Sequence, residues 1–291
     1  MTSPALVFDR SLLRRRRQRA ALRPDAVTFL REEVVDRLVD RLEDIRRRLP
    51  TVLDLGCGDG TLGRRLPDHL GVERLVSMDM APAAVGAAGG LRVAGEEELL
   101  PFAGNGLDAV LSAMALHWVN DLPGALAQIR WCLKPDGLFL AAFPGGSTLW
   151  ELREVLMRAE LEVAGGASPR VSPFVELRDA AGLLQRAGLA LPVADSDRVT
   201  LLYSEPWRLL QELRRMGEAA ALTARGGPLS RSVLMRALEL YRQEHADGQG
   251  RVPATFEILY LAGWKPHESQ QQPLPRGSGA VSLASVLNRK G

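Results

Sequence analysis

The chain has 291 residues, 46% of them hydrophobic and 25% charged, with a formal net charge of +2. So small an excess of base is no nucleic-acid-binding composition, and no apolar run approaches the roughly 18 residues of a membrane span. Cys57 and Cys132 are the only cysteines, too few and too far apart for a disulfide framework or a zinc site, which points to a reducing compartment. The length suits one large α/β domain or one domain with an appendage, and both fit a soluble enzyme.

The basic run RRRRQRAALR, residues 14–23, lies between Asp9 and Asp25. Transit peptides are poor in acids, so this run reads as the solvated face of a helix over residues 9–23. A second helix is expected from about Pro24 to Leu49, with Val27, Leu30, Val34, Leu38 and Leu42 spaced by threes and fours and Pro50 as its stop. From Pro50 onward short apolar runs alternate with helical stretches, which predicts a parallel sheet with crossover helices. The predicted strands are TVLDL (51–55), RLVSMD (74–79), GLRVAGE (90–96), LDAVLSAMAL (107–116) and GLFLAAF (137–143). PGALAQIRWCL reads as a helix and KPDG (134–137) as a turn.

Farther on, LRDAAGLLQRAG (177–188) is a helix closed by Gly188, and LALPVADSDRVTLLY (189–203) is strand material around a turn. PWRLLQELRRMG (206–217) and SRSVLMRALELYRQEH (230–245) form a helical pair before the strand ATFEILYLAGW (254–264). Residues 265–291, rich in Pro, Gly, Ser and Gln, read as a surface tail, disordered in part. The expected division is N-terminal helices over 1–49, a core over 50–205, a helical insertion over 206–250 covering a pocket, a final core strand over 251–264, and the tail.

The stretch VLDLGCGDGTL (52–62) carries the chemistry. Gly56, Gly58 and Gly60 clear side chains from a turn at the end of a buried strand, so that a ligand or helix approaches the backbone. The spacing is G-x-G-x-G, not the G-x-G-x-x-G of a dinucleotide fold, and the turn lacks the Lys and Ser/Thr of a P-loop. Asp54 would repel phosphate and attract a cation. Asp79, at the end of the second strand, stands where an acid accepts both ribose hydroxyls. Adenosine joined to a positively charged group suits both.

With these residues the chain resembles the class I S-adenosylmethionine-dependent methyltransferases: D-L-G-C-G-D-G is similar to their first motif, Asp79 to their ribose-binding acid, and EEELLPF (96–102) to their loop beside adenine. The resemblance implies a Rossmann-like seven-stranded sheet with helices on both faces, its last strand antiparallel between the fifth and sixth. It implies S-adenosylmethionine as cofactor, held by Asp54, Leu55, Gly56, Cys57, Gly58, Gly60, Asp79, Met80, Glu96, Glu97 and Ser112. A longer resemblance runs through FDRSLLRRRRQRAA (8–21), SAMALHWVNDLPGALAQIRWCLKPDGLF (112–139), GGSTLWELR (145–153), SPFVELRD (172–179), VPATFEILYLAGWKPHESQ (252–270) and RGS (276–278). These segments are similar to the complex I assembly factor 5 family, which implies hydroxylation of an arginine on an iron-sulfur subunit of respiratory complex I. They resemble more distantly the malonyl-acyl-carrier-protein methyltransferases of biotin synthesis. Because FDR lies close to Met1, a bacterial cytoplasmic protein is expected, or a mitochondrial matrix protein in a eukaryote.

His117 and Trp118 follow the fourth strand, where open α/β sheets place ligand chemistry. His117 reads either as a general base or as pocket wall, and Trp118 as part of a substrate pocket. Methyl transfer asks mainly for positioning, which such a site supplies. Hydroxylation asks for oxygen activation, and His69, His117, His245 and His267 are scattered with no two-histidine, one-carboxylate spacing, so no metal site is expected. Three functions stay open: modification of a protein partner, methylation of a small molecule or acyl-carrier-protein carboxylate, and a non-enzymatic assembly chaperone.

Overall fold

The computed structural model describes residues 6–23, 25, 27–224 and 226–271. In chain order the elements are α1 (Arg10–Ala21), α2 (Phe29–Glu43), β1 (Thr51–Leu55), α3 (Thr61–Arg64), β2 (Arg74–Asp79), α4 (Pro82–Ala87), β3 (Leu91–Ala94), β4 (Leu107–Ala113), α5 (Leu122–Cys132), β5 (Leu133–Pro144), α6 (Trp150–Ala164), α7 (Leu177–Arg186), β6 (Ala190–Tyr203), α8 (Pro206–Arg215), α9 (Arg231–His245) and β7 (Val252–Trp264).

The strands form one seven-stranded sheet in the order β3-β2-β1-β4-β5-β7-β6. β1 is buried at all its residues and pairs in parallel with β2 and β4, which explains a run of apolar residues with no polar alternation. β7 is antiparallel to both β5 and β6, as the methyltransferase resemblance implies. Strand periodicity divides β5 between two cores. Leu138, Leu140 and Ala142 pack with apolar residues of α2, α6, α8 and α9, whereas Phe139, Ala141 and Phe143 pack with those of α5 and α7. Helices therefore cover both faces. The strand order reverses direction beside β1, and the carboxyl ends of β1, β2 and β4 open onto the crevice in which such sheets bind ligands.

Several elements differ from the sequence reading. The two N-terminal helices are shorter than expected, and α6 was not foreseen as a helix. β4 stops at Ala113 because Met114 adopts a left-handed backbone (φ 59°), which no strand continues. KPDG is absorbed into β5 as an irregularity, with Asp136 at φ 62° and a shift of register between Leu107 and Ala109. β6 runs unbroken through ADSD, with no turn. It is an edge strand, and the carboxylates of Asp195 and Asp197 meet Arg41 (2.8 Å) and Arg37 (2.9 Å) of α2. Turn-forming residues are tolerated there because salt bridges take up their side chains. Residues 272–291, including the RGS motif and most of the expected tail, lie outside the described residues, as does Pro24.

Candidate cofactor and acceptor site

The site is built at the crevice from the ends of β1, β2 and β4. The glycine turn after β1 is pinned from below, where the Gly56 and Cys57 amides donate to the Met78 carbonyl (2.8 and 2.9 Å). Gly56 has φ 74°, and a Cβ there would lie 2.1 Å from that of Ala115, so the chain's own close approach requires this glycine. Gly58, at φ 54°, donates its amide to Asp79 Oδ2 (3.1 Å), and Asp79 Oδ1 accepts from Ala81 (2.8 Å). Gly60 is the left-handed N-cap of α3. Leu55 and Cys57 are buried, and burial pushes the Cys57 thiol up, as for a packing residue. Ser112 donates to the Leu55 carbonyl (2.7 Å), tying β4 to the end of β1.

Asp54 is 1% exposed, and neither carboxylate oxygen has a hydrogen-bond partner. Burial, only partly offset by the nearby Arg31 guanidinium and with Asp79 adding repulsion, pushes its pKa up to about 7. A buried carboxylate without a hydrogen-bond partner is costly, and that of Asp54 lies beside Gly63 of α3.

The acids before LPF take another role than an exposed run. Glu97 is 1% exposed, Glu96 is half-buried, and both bind Arg10; Glu97 also meets Arg17 Nη1 (3.5 Å). Glu98 accepts the Asn120 amide. Met80 packs with Phe8, Leu13, Trp118 and Leu222.

On the other side of the crevice, His117 and Trp118 converge on one residue from the loop after α8. Glu218 Oε2 accepts from Trp118 Nε1 (2.6 Å) and pairs with His117 Nε2 (2.9 Å), while Glu218 Oε1 lies 3.6 Å from Arg17 Nη2. Burial alone would raise Glu218, but the Arg17 guanidinium and the hydrogen bonds from His117 and the Trp118 indole hold it well below the usual carboxylate range. Burial dominates His117 and pushes its pKa down, so it is a neutral imidazole.

Arg10, Arg17, Arg31 and Glu218 were not singled out by sequence reasoning. The run containing Arg17 reads locally as a solvated helix, yet Arg17 is 6% exposed and donates to the Met114 carbonyl (3.1 Å). A signal was available: Arg10, Leu13 and Arg17 share one face of α1 at i, i+3 and i+7 spacing, and Leu13 is fully buried. Glu218 had none.

Comparison with known proteins places this arrangement. Residues 53–141 match the family model of a methyltransferase domain. The arginine-hydroxylase NDUFAF5 of Danio rerio is 41% identical, over 96% of this chain and 89% of its own length, and that of Homo sapiens is 41% identical over 98% and 85%. The chain belongs to the S-adenosylmethionine-dependent methyltransferase superfamily, in the branch of these enzymes. A malonyl-[acyl-carrier protein] O-methyltransferase of Gallionella capsiferriformans is 32% identical, over 89% of this chain and 92% of its own. The YcgJ protein of Bacillus subtilis has the same fold, with a TM-score of 0.56 at 16% identity, over 81% of this chain and 99% of that one.

The cofactor of this superfamily is S-adenosylmethionine, and the residues present fit it. A cleft open in part to solvent is lined by Gly58, Asp59, Asp79, Arg17, Arg31 and Glu218 among others. The Arg31 and Arg17 guanidiniums on the cleft wall match its carboxylate, and Asp54, which is not among the lining residues, sets a buried negative charge behind that wall. Among the described residues, no group of three or more His, Cys, Asp or Glu side chains is placed to hold a metal ion, and no helix is long and apolar enough to cross a membrane.

Proposed function

We propose that this enzyme modifies a protein partner during assembly of respiratory complex I, by hydroxylating an arginine of an iron-sulfur subunit, with dioxygen supplying one oxygen atom and a two-electron donor outside this chain reducing the other to water, from the bacterial cytoplasm. The carrying observation is the extent of the likeness to the arginine-hydroxylases NDUFAF5, 41% over 96–98% of the chain. That likeness takes in α1, whose Arg10 and Arg17 reach the crevice, and the loop that brings Glu218, and is not confined to the glycine turn.

In this reading Asp79 accepts the ribose hydroxyls, Asp54 faces the cationic end of the cofactor, and Arg31 faces its carboxylate. Leu55, Gly56, Cys57, Gly58 and Gly60 supply backbone along the cofactor, Met80, Glu96 and Glu97 border adenine, and Ser112 holds the floor. His117 and Trp118 stand on the acceptor side, with Glu218 fixing both rings. Bound S-adenosylmethionine supplies a sulfonium methyl to a nucleophile in the methyltransferases. Neutral His117 is in the form that takes up a proton from an acceptor, and its Nε2–H is held by the Glu218 carboxylate.

Methyl transfer to a small molecule or acyl-carrier-protein carboxylate is the second reading, favoured by the likeness to malonyl-[acyl-carrier protein] O-methyltransferases at 32–33% over 89–96% of the chain. Mass spectrometry of complex I subunits from cells with and without the gene separates the two. Loss of the mass of one oxygen from an arginine is the expected result. Unchanged subunits, together with loss of a methyl ester elsewhere, would replace the first reading with the second.

A further inference from the structure

The helices over the site enclose a second cavity, between α6, α8, α9 and the 170–174 segment. Its walls are aliphatic, with Leu149, Leu152 and Leu156 from the start of α6, Leu210 and Leu213 from α8, and Leu234 from α9. No residue at the carboxyl ends of β1, β2 or β4 borders it, and Glu218 alone is shared with the cofactor cleft. Leu149, Leu152 and Leu156 are buried at i, i+3 and i+7 spacing, so the leucine wall runs for roughly 10 Å, the length of an extended chain of about eight carbons. A concave apolar space with a few polar groups is the usual form of a small-molecule site.

Four polar side chains border the cavity, Arg170, Ser172, Arg214 and Glu218, and they are not equally satisfied. Glu218 is ion-paired with Arg17 and accepts from His117 and Trp118. Arg170 is spent on Glu160 (2.9 Å) and on the Gly227 carbonyl (2.8 Å). Arg214, in the last turn of α8, is exposed, and its side chain has no ion pair or hydrogen bond among the described residues. Ser172 is 4% exposed, and its hydroxyl has no partner. The groups left over are thus a guanidinium, which only donates, and a hydroxyl, which can donate. A carboxylate, all acceptor, complements either of them, whereas a cationic head would meet Arg214 with repulsion.

We propose that this cavity is a binding site for an aliphatic carboxylate of about eight to ten carbons, its chain along the leucines of α6 and its head turned to Arg214. Burial of the methylenes supplies most of the affinity. Arg214, open to solvent, mainly selects the sign of the head group. The site leaves the hydrogen bonds of Glu218 as they are and does not depend on which acceptor the enzyme modifies.

Calorimetry of the full chain with decanoate, decyltrimethylammonium and hexanoate, each below its micelle-forming concentration, tests this. Decanoate is expected to bind saturably at one site, about fivefold more tightly than decyltrimethylammonium and at least about tenfold more tightly than hexanoate. Arg214→Gln should bring the two decyl compounds to equal affinity. Leu210→Trp and Leu234→Trp, which fill the cavity from α8 and from α9, should each abolish decanoate binding, with circular dichroism showing that the variant is folded. No saturable binding of decanoate by the wild-type chain, equal binding of the carboxylate and the ammonium, or decanoate binding retained in both tryptophan variants overturns the proposal. Should neither tryptophan variant fold, the wild-type comparison and Arg214→Gln decide it.

Discussion

Asp54 is the residue whose environment is least satisfied, and its titration gives two linked predictions. Its folded-state pKa, about 7, lies above the ordinary 3.8, so the folded protein holds this proton more tightly than the unfolded chain. Stability from this group is thus fully present below about pH 4 and is lost as pH rises through 7. Cofactor affinity should run the other way, because a cationic ligand selects the carboxylate: binding strengthens as pH rises through about 7 and then levels off. Calorimetric titrations from pH 6 to 8 check this, and Asp54→Asn should flatten the dependence; a slope that survives in the variant assigns it to another group.

Asp79 and Gly58 act as a pair, since one accepts the amide of the other. Asp79→Ala removes the proposed ribose acceptor and leaves the Gly58 and Ala81 amides without their partner, at about 1–3 kcal/mol for each buried donor. Gly58→Val forces a branched residue into a left-handed backbone. Both variants should lose at least about tenfold in S-adenosylhomocysteine affinity. Normal affinity in two folded variants would move the site elsewhere. These acids and glycines are legible in the sequence because a sharp turn at a strand end needs residues of that kind locally. Arg17 is not legible in that way, because Arg14, Arg15 and Arg16 have the same local chemistry and only the seating of the helix selects among them.

At the scale of elements, α1 carries two of the site's cations and is anchored by Leu13, fully buried beside Phe8, Met80, Trp118 and Leu222. Leu13→Ala should cost about 2–5 kcal/mol in urea unfolding, and should also weaken S-adenosylhomocysteine binding by loosening Arg10 and Arg17. Stability lost without any change in affinity would make α1 a structural support alone. α9 starts at Ser230, whose hydroxyl accepts from the Val233 amide (3.2 Å). Ser230→Ala is expected to cost about 1 kcal/mol with no effect on affinity, since this cap is remote from the crevice. Periodicity made α2, α5, α7, α8 and α9 readable because one apolar face repeats along each. It misread residues 189–203, where the composition favours a turn but pairing along the whole length of β7 and two arginines from α2 keep the strand straight.

Over the whole molecule, the first and the late parts of the chain are joined at the site. Asp9 donates its amide to Ala221 (2.7 Å), Thr223 donates to Val7 (2.9 Å), and Arg17 meets Glu218. Hydrogen exchange should therefore show residues 7–17 and 216–223 gaining protection together when S-adenosylhomocysteine binds, and separate responses would deny that the two segments close the cleft as one unit.

By itself the sequence determined the parallel core, the glycine turn with its flanking acids, and the antiparallel last strand, the last through family likeness. The first two depend on short-range requirements, namely continuous burial of a strand, a left-handed turn and an acid at a strand end, and each is written within a few consecutive residues. Only the tertiary structure decided that Glu218 would meet His117, Trp118 and Arg17, and that one arginine of a basic run would be buried. The reason is that a buried ion pair depends on which distant surfaces are excluded from water together, and residues 17, 117 and 218 carry no local mark of that shared burial.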